Sequence, residues 1–409
     1  MKKGLILIII IFLPFVICKG QNKPKQEIQP YIKFLNSTET LNSKDYILSL
    51  WDKYDIVVIC ERFHGEVTQY NLLLDIINDE RFITSVGNVF TEVGSVSIQP
   101  DINHFLQSKY LNEKQRKDDL LNIYRNLTFS PSWEKYNFFN FILEINKLNC
   151  KIEDSLSIHL YPLTWEFPGW KNIETSAKYK EWFYNQPDFD SILASHFIEQ
   201  YDKILTNEAR KKALIILNYR HAFNKDMKNE MYEKTINVSN TARYIFDNYK
   251  GKVANILLNT LTSLPADNSD MGDPYIPIQN GKWDAAFKFS NIKNSGFDFY
   301  NSPFGEDSFD LWPYSKIEYK YKDIFTGFVF YLPLNEHYEL YGIPNIMTKE
   351  FEVELRRRLK IFYGVWNYKL QGGQKPAINK SIRHLGKLKK ERYYNLNKKL
   401  KIIDKWLSE

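Results

Sequence analysis

Ile56-Val57-Val58-Ile59-Cys60-Glu61-Arg62-Phe63-His64-Gly65-Glu66 decides how the rest of this chain is read. Five consecutive apolar residues, the first four β-branched and none alternating with a polar neighbour, predict a strand buried on both faces. Such strands belong to parallel sheets covered by helices. The run stops at Glu61, and after a short polar turn Val67, Tyr70, Leu74 and Ile77 recur at helical spacing, forming one apolar stripe. A strand passing into a helix through a turn that carries Glu and His places reactive groups where open α/β sheets bind ligands, beyond the carboxyl ends of the strands.

Working outward, four further apolar runs match the first: Val86–Val93, Ser157–Leu163, Ala213–Asn218 and Val253–Leu258. Helical patterns separate them, among them Asn240–Tyr249 with Gly251 as a stop, and Tyr136–Leu148 and Tyr179–Tyr184 within long aromatic insertions. For the last two, plain packing is the expected role and walling a pocket over the sheet the alternative. The fold class expected is therefore α/β, a mostly parallel sheet flanked by helices, with helical insertions and a C-terminal basic helical segment.

Four segments are expected: a signal peptide over 1–20, an α/β core with helical insertions over 21–265, a loop- and strand-rich extension over 266–346, and a basic helical segment over 347–409. Within the extension, Gly272-Asp273-Pro274 and Ser302-Pro303-Phe304-Gly305 mark turns, and Phe325–Leu332 is the last strand expected. In the final segment Phe351, Leu355 and Leu359 predict one amphipathic helix, and Lys387–Leu407 is expected to form another.

The chain has 409 residues, 44% hydrophobic and 25% charged. That balance excludes wholesale disorder, and the three cysteines, Cys18, Cys60 and Cys150, exclude a disulfide scaffold or a thiolate zinc site. The net charge of +6 is unevenly spread: residues 351–409 carry +11, leaving −5 for everything before them. Nucleic acid is therefore not an expected partner; the tail is expected to pack against the α/β domain with its lysines facing solvent, peripheral contact with an anionic membrane being the alternative. Lys2 and Lys3 precede an apolar run from Leu5 to Cys18, shorter than the roughly 20 residues a bilayer span needs. Export to the periplasm or medium is expected, with cleavage after Gly20 and, as the lesser alternative, lipid anchoring at Cys18.

Polar residues at the strand ends supply the candidate site. Strand one ends at Glu61 and His64, strand two at Glu92, and strand four at Tyr219, Arg220 and His221. A carboxylate three residues from a histidine can hold the imidazole in one tautomer or stabilise its cation. Glu92 and His221 can orient a water or protonate a leaving group, and the four residues together could instead ligate a divalent metal. Arg220 suits an acidic substrate or a developing oxyanion, and Tyr219 lies beside it. Glu66 is expected to be exposed and to cap the following helix.

The order Ile59-Cys60-Glu61-Arg62-Phe63-His64-Gly65-Glu66, Phe90-Thr91-Glu92-Val93-Gly94 and Leu217-Asn218-Tyr219-Arg220-His221-Ala222 resembles the erythromycin-esterase-like group. Its wider superfamily includes the ChaN-like haem-binding lipoproteins and the Tiki-type metalloproteases. The resemblance covers roughly residues 54–95 and 212–260. It implies a hydrolase of an ester, lactone or amide, acting on a small-molecule or peptide substrate, with His64 as the water-activating base and Glu61, Glu92 and His221 completing the site. No cofactor is required in that reading. The alternatives are a metal-dependent peptidase or hydrolase using the same four residues, and a ChaN-like haem or cell-envelope binding protein.

Overall fold

The structure is a computed structural model and describes residues 24–229, 236–263, 275–311, 319–365 and 373–408. The expected signal peptide with Cys18, the turn at Gly272-Asp273-Pro274 and the side chain of Tyr219 lie outside the described residues.

Seven strands form the main sheet: β1 (Ile56–Glu61), β2 (Asn88–Ser95), β3 (His159–Thr164), β4 (Ala213–Asn218), β5 (Val253–Leu258), β6 (Asn294–Asp298) and β7 (Gly327–Tyr331). Their order is β6-β7-β5-β1-β4-β2-β3, and every pairing is parallel except the antiparallel edge pair β6 and β7. Strands β6 and β7 come from the stretch after residue 266, so that stretch extends the same sheet.

Side chains alternate along each strand, and both faces are dry. Val57 and Ile59 of β1, with Leu214 and Ile216 of β4, face the helices Ser43–Leu50, Val67–Ile77 and Tyr136–Asn149. Ile56, Val58 and Cys60 face the other way, into a core shared with the helices Gln29–Ser37, Phe189–Asn207 and Lys282–Phe289. Covering both faces is why β1 tolerates no polar residue before Glu61. No helix among the described residues is long and apolar enough to cross a membrane.

The basic C-terminal segment is folded onto this body. Helix Lys349–Val365 buries Phe351, Leu355 and Leu359 against the central core, and packs on helix Ser176–Tyr184. Helix Gln374–Gly386 buries Ile378, Ile382 and Leu385. The expected helix over Lys387–Leu407 is shorter than its pattern suggested. Lys389–Glu391 is instead a strand paired with Glu339–Tyr341, and the helix proper spans Leu396–Asp404. The hydrogen bonds of that strand pair outweigh the helical spacing of the lysines.

Candidate active site

Glu61 is the last residue of β1 and lies opposite Asn218, the last residue of β4. Glu92 arrives beside them by a different device. The pairing of β2 with β4 ends at Thr91, and the pairing of β2 with β3 jumps from Thr91↔Pro162 to Ser95↔Thr164, so Glu92, Val93 and Gly94 form a bulge. Bulges re-aim side chains at sheet rims. Gly94 makes this one feasible: its φ is +104°, and a Cβ there would meet Pro162 at 2.9 Å. The released carboxylate turns toward β4, where Glu92 Oε2 accepts a 2.6 Å hydrogen bond from the Asn218 amide.

His64 sits between the two carboxylates. Its Nδ1 is 2.8 Å from Glu61 Oε2, and its Nε2 is 3.2 Å from Glu92 Oε1. Glu61 is 1% exposed and Glu92 7%, while the imidazole is 27% exposed, so the histidine is the member that solvent or substrate reaches. Burial disfavours the imidazolium, but the charge and hydrogen bond of Glu61 and the charge of Glu92 win, raising its pKa to about 9. At neutral pH, His64 is a cation with both N–H groups directed at carboxylates.

Neighbouring residues fix this arrangement. Gln69 Nε2 donates to the Phe63 carbonyl at 2.9 Å, and Gln69 Oε1 accepts from the Arg62 amide at 2.6 Å. The Tyr70 hydroxyl bonds Glu61. Asn137, at the start of helix Tyr136–Asn149, donates to the His64 carbonyl at 2.7 Å. Trp133 packs edge-on to His64 with ring centroids 5.2 Å apart. The expected insertion helix therefore contributes its N-terminal end to the site, and most of its length to the core.

Glu66 caps helix Val67–Ile77 as expected, accepting from the amides of Thr68 and Gln69, but it is fully buried, contrary to the exposed position its pattern suggested. The reason is Arg62, also buried, whose guanidinium pairs with Glu66 Oε2 at 2.9 Å and donates to the Asn259 and Tyr331 carbonyls. This network holds the Glu61–Glu66 turn from below. On its far side His337 is buried, and its Nε2 donates to the Leu332 carbonyl at 3.0 Å.

His221 is not joined to these groups by any hydrogen bond or ion pair among the described residues. Its Nδ1 pairs at 2.6 Å with Asp190, which also accepts from the Thr241 amide and hydroxyl. Burial would raise the Asp190 pKa, but His221 and Thr241 together lower it. Asp190 was invisible to strand-end reasoning because it lies in the first turn of helix Phe189–Asn207, where an acidic residue reads as capping. Arg220 is exposed and makes no hydrogen bond or ion pair among the described residues. Both His64 nitrogens thus face carboxylates, while Nδ1 of His221 faces Asp190. Among the described residues no group of three or more His, Cys, Asp or Glu is disposed to hold a metal ion.

One further contact ties the basic tail to the site. The Leu340 amide donates to the Gly65 carbonyl at 3.1 Å and the Val67 amide to the Tyr338 carbonyl at 2.9 Å, while Glu339–Tyr341 pairs on its other edge with Lys389–Glu391. The turn bearing His64 is thus stitched through residues 338–341 to the C-terminal segment.

No family model matches the chain, and no curated protein matches it. Its likeness is to solved structures. One is a Bacillus cereus protein at 9% identity, covering 76% of this chain and 94% of that one with a TM-score of 0.41. A second, described as a succinoglycan biosynthesis protein, has 10% identity, the same coverage and a TM-score of 0.41. A third is a mutant of the erythromycin esterase EreC in its open conformation, at 7% identity, covering 75% of this chain and 96% of that one, also with a TM-score of 0.41. At such identities the likeness concerns the course of the backbone only.

Proposed function

We propose that the protein is an exported hydrolase that cleaves an ester, lactone or amide by water attack at His64. The observation supporting this reading is the clamp itself: a partly exposed imidazole at the carboxyl ends of parallel strands, held on both nitrogens by buried carboxylates.

Such a clamp makes a strong base. When His64 loses its proton, Nε2 and Glu92 Oε1 present lone pairs to one another 3.2 Å apart, an arrangement that a water donating to both relieves. That water is then placed for attack on a carbonyl carbon, with Nε2 taking its proton. The imidazolium so formed regains both carboxylate contacts, so the charge that develops in the transition state is stabilised by groups already in position. It next gives the proton to the leaving oxygen or nitrogen. Trp133, packed edge-on beside the ring, walls that position. Glu61 acts on the ring from Nδ1 and never needs to exchange a proton. The reaction requires no metal.

The test is hydrolysis of a panel of p-nitrophenyl esters, a lactone and a p-nitroanilide, measured from pH 6 to pH 10. The expected result is a kcat/KM that rises with pH toward a plateau above about 9, unaffected by chelator and lost in His64→Ala. Undiminished hydrolysis by a folded His64→Ala protein would end this reading.

A further inference from the structure

Away from the strand-end rim, helix Lys282–Phe289, the segment after β7 and helix Leu396–Asp404 enclose a cavity of about 290 Å³. One part of its wall is apolar, with Phe287 and Phe330 stacked at 4.0 Å between centroids and Leu334, Leu400 and Ile403 beside them, while charged and amide side chains such as Lys288, Lys293 and Glu336 line the rest. Into this space Asp284 contributes a carboxylate that is 8% exposed. Among the described residues its only hydrogen bond comes from its own amide. A buried carboxylate without a donor is costly and calls for an explanation.

The charges around the mouth narrow the choice of partner. Lys288 is paired with Asp404 at 2.6 Å and Lys293 with Glu336 at 2.8 Å, so both lining lysines are already neutralised by carboxylates of the same wall. Arg62, whose charge is felt at Asp284, spends its donors on Glu66, Thr68, Asn259 and Tyr331. What the cavity lacks is a positive donor for Asp284. An anionic guest would meet this carboxylate with no open cation inside, and a neutral apolar guest would leave it unpartnered.

We propose that this cavity binds a small organic ammonium ion, a primary amine on a compact apolar body, with Asp284 as its counter-ion. The size agrees: an engineered apolar cavity of about 150 Å³ holds benzene, so about twice that volume admits a ring with an aminomethyl arm. Burial, opposed by the Asp284 amide and Arg62, pushes the Asp284 carboxyl up to about 7 when nothing is bound, the state an arriving ammonium would reverse.

The test uses the full-length protein and three probes of matched shape, benzylammonium, benzyl alcohol and benzoate, titrated by calorimetry at pH 7.5. Benzylammonium is expected to bind at least about tenfold more tightly than the alcohol, with benzoate undetectable. Asp284→Asn should equalise amine and alcohol while leaving the melting temperature undiminished, because a buried charge has been removed. Leu400→Phe, which fills the cavity from the opposite helix, should weaken both. Equal affinity for amine and alcohol in the wild type, retention of amine preference in Asp284→Asn, or no benzylammonium binding up to about 10 mM would each overturn the proposal.

Discussion

His64 and His337 lie on opposite sides of one turn, and the turn treats them in opposite ways. His64 faces Glu61 and Glu92 on the solvent side, and its pKa rises to about 9. His337 is buried beneath the turn, where burial and then the charge of Arg62 lower its pKa to about 3, despite the neighbouring Glu66. The same six residues, Glu61 to Glu66, supply both environments. Glu61 and His64 point up to the rim, while Arg62 and Glu66 point down into the core. Sign of local charge and access to water therefore decide which histidine is a reachable cation and which is a neutral, packed ring.

The largest expected effects break this division from each side. His64→Ala should lower kcat/KM for ester hydrolysis about 10²–10⁴-fold, with the circular dichroism spectrum unchanged, since Glu61 and Glu92 keep the Tyr70 hydroxyl and the Asn218 amide as donors and water can enter where the partly exposed ring stood. On the core side, Arg62→Met should destabilise the fold by about 3–5 kcal/mol in denaturant titration, because it strands Glu66 as a buried, unpaired carboxylate. Arg62→Met together with Glu66→Gln should recover much of that loss. If the double variant is no better than the single, the buried pair is not what holds the turn.

The rim side of this division is legible in the sequence, and the core side is not. The unbroken β-branched run of β1 and the apolar runs of β2 to β5 announce a parallel sheet because two covered faces leave no place for alternation. Glu61 and His64 stood out because they end such a run. The edge strand β6 escaped notice: Asn294–Asp298 is short and half polar, as an antiparallel edge can be. Glu66 was misjudged as exposed because local pattern cannot show that Arg62 turns inward to meet it. Asp190 carries no signal in the sequence, because a pairing with His221 across 31 residues leaves no spacing to recognise. Strand-end position tells which rim a residue occupies and says nothing of which neighbour it meets there.

Smaller effects follow from the pH dependence of stability. His64 has a folded pKa raised above its unfolded value of about 6.5, so its contribution is fully present below about 6.5 and is lost as pH climbs through about 9. Wild-type stability should fall across that window by on the order of 1 kcal/mol per pH unit at the steepest point, and His64→Gln should flatten the slope. Between about 4 and 6.5 the lowered His337 and His159 favour the fold as pH rises, whereas the raised Asp284 acts in the opposite sense, so little net slope is expected there. Chemical denaturation at pH 7, 8 and 9 is the relevant measurement. An alkaline slope that survives in His64→Gln would mean the clamp does not charge the ring.

The gentlest perturbation acts on the contact between the turn and the C-terminal segment. A Cβ at Gly65 would meet the Tyr341 ring at 3.2 Å, closer than ordinary contact, but the atoms it meets are the far end of a half-buried side chain that can shift by a few tenths of an ångström. Gly65→Ala should therefore cost under about 1 kcal/mol of stability. Its effect should be one-sided, because Tyr341 lies against the stretch that carries His64, while the Arg62–Glu66 pair sits beneath the turn. The pH at which hydrolysis reaches half its plateau should move, and the response of stability to Arg62→Met should stay the same. A Gly65→Ala variant that instead changes the Arg62→Met penalty would show that the rim and core sides of the turn yield together, and that the division between the two histidines is softer than their geometry implies.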